Sequence, residues 1–184
     1  MSIHYGTAAT EEDLHQILSL QRANHASTLS HVQADRDGFV TVMHSFELLK
    51  QMNDATPQVI AKDGDRVVGY ALVMLKSFGN LIPVLQPMVN RLSTIQNGSK
   101  KITDCAFYIM GQICVDEAYR GKGIFDLLYS KHKELYQSRF ELCVTSVSRR
   151  NKRSMRAHER VGFTTVQTFQ DLTDEWNILV WQWS

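Results

Sequence analysis

The chain has 184 residues, 43% of them hydrophobic and 21% charged, with a formal net charge of +1. That length supports one well-buried core and not two comfortable domains, and the balanced charge gives no general pull toward nucleic acid. There is no long uncharged apolar run and no secretory pattern at the N-terminus, so neither a membrane span nor export is expected, and a cytoplasmic protein is.

Ile3–Thr7 reads as a first strand. Thr10 offers an N-cap with Asp13 in the reciprocal capping position, and Leu14, Ile17 and Leu18 make a helical stripe behind it. Phe39, Val42, Met43, Phe46 and Leu49 recur mostly at three or four, which predicts a second helix from Asp35 to Met52. Val59 to Leu75 is a hairpin turning at Asp63-Gly64, with β-branched runs on both sides. Residues 77–104 form a long connection. Its first half is apolar and holds Pro83 and Pro87, predicting a short helix from about Pro87. Its second half, Asn97 to Lys101, is polar and hairpin-like. Phe107–Val115 is a central strand, Gly121–Tyr136 a helix with two apolar rows, Phe140–Ser146 a strand and Lys152–Val161 a helix. Phe163–Phe169 and Trp176–Trp183 close the chain as strands. Strands and helices mixed in this order predict an α/β (α+β layered) architecture, a twisted, mostly antiparallel sheet flanked by helices. Cys105, Cys114 and Cys143 have no C-x-x-C spacing and read as buried free thiols, with a catalytic cysteine as the sharper alternative.

Gly111 to Tyr129 carries most of the functional information. It runs strand, turn, glycine-rich loop, amphipathic helix, which aims backbone N–H groups and the positive end of a helix dipole at one spot. Such a site holds a phosphate or pyrophosphate. The loop is not a P-loop, because no G-x-x-x-x-G-K-[ST] string surrounds it. It is not the dinucleotide fingerprint either, because the third position after Gly123 is Asp126.

The pattern Val115-x4-Arg120-Gly-Lys-Gly123-Ile resembles the pyrophosphate loop of the GCN5-related N-acetyltransferase (GNAT) family, whose core is Q/R-x-x-G-x-G/A. Phe125 stands where that family usually has a small residue. A second segment, Asn151 to Phe163, is similar to the family's later helix, which starts near an asparagine and ends in Gly-Phe. The resemblance covers residues 56–170 well and the N-terminal third weakly. It implies the acyl-CoA N-acyltransferase fold for a single domain, 1–184, with an insertion at 77–104 between the third and fourth strands. It further implies acetyl-CoA as co-substrate, no metal, and direct transfer of acetyl to a primary amine on a small molecule or peptide, and it leaves a homodimer open. The cofactor-binding residues it implies are Ile113, Cys114, Val115, Arg120, Gly121, Lys122, Gly123, Ile124, Phe125 and Asn151.

His158 stands where the family often has a tyrosine, taken as the acid that protonates the coenzyme A thiolate. An imidazolium would give up that proton readily, since it titrates near 6.5 against about 8.5 for a free thiol. Tyr108 is a candidate for anchoring a water at the strand. The strand interior holds no carboxylate, so Asp104, Glu47 and Glu141 are the bases to weigh. That lack, with Phe125, leaves open an acyl-CoA-binding regulatory module without catalysis.

Overall fold

The computed structural model describes residues 2–30 and 38–183. Seven strands form one sheet: β1 (Ile3–Thr7), β2 (Val59–Asp63), β3 (Arg66–Met74), β6 (Phe107–Val115), β7 (Leu142–Ser148), β8 (Thr164–Gln170) and β9 (Glu175–Gln182). Their order across the sheet is β1-β2-β3-β6-β7-β9-β8. All neighbours pair antiparallel except β6 and β7, which run parallel. β4 (Gln96–Asn97) and β5 (Lys100–Lys101) make a separate two-stranded ribbon.

Helices cover both faces. Helix α1 (Glu11–Ala23) and helix α2 (Phe46–Ala55) lay Leu14, Ile17, Leu49 and Met52 against Tyr70, Leu72 and Met74 of β3. On the other face α4 (Ile124–Tyr136) buries Ile124, Leu128 and Tyr129 against Val68, Ala71 and Val73. Strand β3 is therefore buried on both sides, which is why its sequence is a nearly unbroken apolar run rather than an alternation. The connection between β3 and β6 contains α3 (Gln86–Arg91). Met88 and its neighbours Ile82 and Leu92 extend the first core, while the β4–β5 ribbon stays outside it.

Local chemistry sets most boundaries. Thr10 Oγ1 accepts from the Asp13 amide at 3.1 Å and Asp13 Oδ2 accepts from the Thr10 amide at 3.1 Å, closing the expected capping box on α1. The predicted helix from Asp35 is not formed as written. Residues 35–37 lie outside the described part, and the helix α2 starts only at Phe46, where Ser45 Oγ accepts from the Leu48 amide. Before it the chain is extended: Val40 N donates to Asn24 O at 3.0 Å and Ala26 N to Val40 O at 2.9 Å. Gln112 of β6 also reaches across to donate to Val42 O at 2.8 Å. These long-range bonds outweigh a helical spacing that lacked its own cap until Ser45.

α5 (Lys152–Val161) starts at Asn151, whose Oδ1 accepts from Ser154 N at 3.1 Å, and stops at Gly162 with φ +117°. A Cβ on Gly162 would lie 3.0 Å from Trp181 Nε1. Gly162→Ala is therefore expected to destabilise the protein by at least about 1–2 kcal/mol, the cost of left-handed backbone in an L-residue alone. A denaturant midpoint unchanged from wild type would contradict this.

Candidate active site

Strands β6 and β7 pair only over Phe107↔Leu142, Tyr108↔Cys143 and Ile109↔Val144. Beyond Ile109 they part, although β7 goes on pairing with β9 to Ser148 and β6 with β3 to Val115. A bulge sits at the parting point, where the two β6 residues between Met110 and Ile113 oppose one, Leu72, on β3. Such a bulge bends the strand and ends pairing on its far edge. Thr145 Oγ1 donates to Met110 O at 3.0 Å, a side chain standing in where the ladder stops. The β7-facing edge of β6 from Gly111 onward thus has no strand partner.

A cavity of about 540 Å3 opens along that edge. Its floor is Ile113, Cys114 and Val115. One wall is the glycine loop and the first turn of α4, with Arg120, Gly121, Gly123, Ile124, Phe125 and Asp126. The opposite wall is Asn151 with Arg153, Ser154, Arg156, Ala157 and Arg160 of α5, and Phe39 and Val40 lie at one end. Gly121 and Gly123 have φ of +75° and +76°, and a Cβ on either would meet no protein atom within 4 Å. The turn of chain from Arg120 to Gly123 is bare backbone facing open space, the arrangement that binds anions through N–H groups. Three arginines line the facing helix. Arg160 pairs with Asp126 at 2.8 Å across the cleft, while Arg149 and Arg150 are held by Glu175 and Asp174 of the β8–β9 hairpin. Arg120 Nη2 donates to Asn24 Oδ1 at 2.5 Å, tying the loop to the end of α1.

Nine of the ten residues expected at the cofactor line this cavity; Lys122 does not. Its ammonium donates back to Ala118 O at 3.0 Å and sits over the Tyr119 ring. Cys114 is in the floor, but burial pushes its thiol up to about 12, against the opposing charge of Arg120. It stays protonated at neutral pH, which removes it as a nucleophile.

Neither proposed catalytic side chain reaches the cavity. Tyr108 is 0% exposed. Its ring packs on Phe140 and Trp183, and its hydroxyl lies 2.8 Å from His132 Nδ1. His132 Nε2 donates in turn to Ala71 O. Tyr108 anchors a core network, not a water at the strand edge. His158 is 1% exposed. Its Nδ1 donates to Ser154 O at 2.8 Å, one helical turn back, so Nε2 accepts from the Tyr129 hydroxyl at 2.7 Å. Burial holds its pKa down to about 4, only partly offset by the Ser154 carbonyl. With burial holding its pKa low and both nitrogens engaged, His158 stands in the core and not in the cavity wall expected from its position.

The reason is a size exchange. Where the resembling family has a small residue and then a tyrosine, this chain has Phe125 and His158. The Phe125 ring fills the space beside the imidazole, with centroids 5.2 Å apart, and Tyr129 and Phe163 close the other sides at 5.5 and 5.2 Å. His158→Tyr alone is expected to overpack this cluster and cost about 1–3 kcal/mol. Adding Phe125→Ala should return most of it in a denaturant titration. A stable single variant would mean that Phe125 does not occupy that space. Ser154, Arg160 and Asp126 were not singled out from the sequence. The spacing Asn151, Ser154, Ala157 along one helix face could have pointed to Ser154; nothing local pointed to Asn24.

A second, narrower cavity of about 40 Å3 lies further along the parted strands, toward Ile109, Met110, Gly111, Thr145 and Ser146. Thr41 and Val42, then Val84, Leu85 and Met88 of the long connection, and Phe169, Asp171 and Trp176 complete its wall. The carboxylates weighed as bases are elsewhere. Glu47 and Asp104 are exposed, and Glu141 accepts from Ala106 N before β6 begins. Among the described residues no cluster of histidine, cysteine or carboxylate side chains could hold a metal.

A profile of the acetyltransferase (GNAT) family matches residues 26–163. The chain belongs to the GNAT family. Its fold matches solved structures of that family at low identity. The NatC complex bound to Gag peptide and CoA aligns with a TM-score of 0.68 at 14% identity, covering 100% of both chains. A putative acetyltransferase from Salmonella typhimurium with acetyl-CoA aligns at 0.65 and 14%, covering 99% of this chain and 94% of that one. NAA60 of Arabidopsis thaliana in complex with acetyl-CoA aligns at 0.66 and 14%, over 98% and 99%. No curated protein sequence matches the chain. The seven-stranded sheet flanked by helices is thus the acyl-CoA N-acyltransferase fold expected from the two motifs.

Proposed function

We propose that this GNAT protein transfers acetyl from acetyl-CoA directly to a primary amine within a ternary complex. The parting of β6 from β7 supports this reading most strongly: it leaves one strand edge running from a large cavity with a bare glycine loop to a second cavity on the same strands. The residues fit the co-substrate. Gly121, Gly123 and the start of α4 suit its pyrophosphate, the α5 arginines suit its remaining phosphate charge, and the free edge of Gly111–Val115 and Asn151 suit its amide-bearing arm. The thioester supplies the activated acyl group. The protein supplies unpaired N–H groups on β6 that polarise the carbonyl. It also supplies orientation, which by itself lowers the barrier to a bimolecular step.

The wall holds two hydroxyls: that of Tyr119 donates to Asp63, and that of Ser154 lies 3.2 Å from His158 Nδ1. Cys114 remains a thiol, so no acyl-cysteine relay operates. With no ionised base on β6, the amine loses its proton to solvent before attack, and the rate should climb with pH toward the pKa of the acceptor. The three free cysteines suit the reducing cytoplasm where we place the protein. Calorimetric titration with acetyl-CoA, followed by thiol release with an amine panel, tests the proposal. Intersecting initial-velocity lines are expected. Parallel lines would overturn direct transfer. Tight binding without thiol release would favour the acyl-CoA-binding regulatory module, a reading that the buried His158 also suits.

A further inference from the structure

An ion pair joins the two walls of the large cavity. Asp126 is in the first turn of α4 and Arg160 in the last turn of α5, and both line the cavity. Arg160 Nη2 donates to Asp126 Oδ1 at 2.8 Å, and Arg160 Nε donates to Asp126 Oδ2 at 3.1 Å. Two parallel bonds of this kind are the best match between a guanidinium and a carboxylate. The Arg160 and Asp126 side chains keep 58% and 43% of their surface exposed, so the pair stands at the mouth of the cleft. An ion pair in contact with water contributes little to folding, so this one opens easily.

The surroundings set that pair against a coenzyme. The bare turn Arg120–Gly123 and the N-terminal end of α4 favour an anion at the foot of the helix. Asp126 supplies one such charge from within the chain, because a carboxylate in the first turn meets the positive end of the helix dipole. Coenzyme A brings a pyrophosphate and a 3′-phosphate. A phosphate in this cleft finds Asp126 in the same wall as a like charge, and like charges repel. Arg160 shares the opposite wall with Arg153 and Arg156, but its Nε and Nη2 donors are turned toward Asp126. Phosphate oxygens offer a guanidinium the same two-point fit with more charge.

We propose that the Asp126–Arg160 pair is a latch on the coenzyme cleft. A phosphate of the coenzyme draws Arg160 off Asp126, and the carboxylate so released opposes the bound phosphates and speeds their departure. This rests on the coenzyme site described above and concerns how that site loads and empties. Arg160 works for binding and Asp126 against it, so the two partners of one ion pair act on affinity with opposite signs. A bridge that only held α4 to α5 would give the same sign at both positions, because removing either partner breaks it.

Calorimetric titration with CoA at low ionic strength compares wild type, Asp126→Asn, Arg160→Gln and Arg160→Lys. Asp126→Asn is expected to tighten CoA at least fivefold and Arg160→Gln to weaken it at least fivefold. Arg160→Lys, which keeps the charge, should recover part of that loss. Both differences should narrow in about 0.5 M salt, where charges at an open mouth are screened. Stopped-flow release of CoA should be slower in Asp126→Asn than in wild type. Pantetheine has no phosphate and should bind all four proteins alike. With dephospho-CoA the Arg160→Gln effect vanishes if the 3′-phosphate receives Arg160 and persists if the pyrophosphate does; either result supports the latch. Weaker binding at both positions, or unchanged affinity and release in Asp126→Asn, overturns it. If wild type binds no CoA, the coenzyme site and the latch fall together. If CoA binds with these opposite signs and no acetyl is transferred, the latch stands and only the catalytic reading falls.

Discussion

Gly123→Val should lower acetyl-CoA affinity at least a hundredfold in a protein that remains folded. Gly123 caps α4 with φ +76°, and its carbonyl accepts from Leu127 N at 3.1 Å. A β-branched residue is a strong outlier there. It either holds the strained conformation, at about 1–2 kcal/mol or more, or turns the peptide and withdraws its N–H from the anion site. In both cases the side chain projects into space that no protein atom occupies within 4 Å, beside the cavity. Loss of core packing is therefore not the cause. Gly64→Val is the matching control. Gly64 has φ +58° in the β2–β3 turn and likewise meets nothing within 4 Å, but it lines neither cavity. It should cost similar stability and leave the calorimetric affinity intact. Equal affinity in Gly123→Val and wild type would remove the loop from the cofactor site.

The second large effect is on stability at mildly acid pH. His44, His132 and His158 are each held down to about 4, in every case first by burial. A folded-state value below the unfolded value of 6.5 means that the unfolded chain binds the proton more readily. The stability these residues contribute is complete above pH 6.5 and is lost as the pH falls from 6.5 toward 4. Each accounts for roughly 3 kcal/mol at the acid limit, so together they rival the whole stability of a typical domain, about 5–15 kcal/mol. Cooperative unfolding between about pH 4 and 5 is expected, with close to three protons taken up. Asp13, Asp171 and Asp174 have values below the usual carboxylate range because hydrogen bonds outweigh their desolvation, so they withdraw their support only at lower pH. Denaturant midpoints measured at steps from pH 7.5 to 4 separate the two windows. A flat profile down to pH 4 would show that these imidazoles are not buried neutral.

The strand–loop–helix around Gly121 and Gly123, the capping box at Thr10 and Asp13, the cap at Asn151 and the stop at Gly162 were legible in the sequence. Each depends on hydrogen bonds within four residues or on the chirality of one backbone unit, so a short string of residue types is sufficient to specify it. The alternation and runs of apolar residues likewise placed the strands to within two residues or so, because burial repeats with the backbone period.

What only the tertiary structure decided are the destinations of side chains and the pairing of strands distant in sequence. His158 keeps its family position on α5, but Phe125 and Tyr129, about thirty residues earlier, enclose it and take its hydrogen-bonding capacity. Tyr108 alternates like any strand residue, and the helix packed above it supplies the His132 that claims its hydroxyl. The gap between β6 and β7 depends on a bulge, a threonine from the neighbouring strand and a β9 that holds β7 away from β6. Those are cooperative contacts among groups that no local pattern records. The sequence by itself therefore determined the glycine turn and the helix start behind it, and only packing decided which side chains stand beside them.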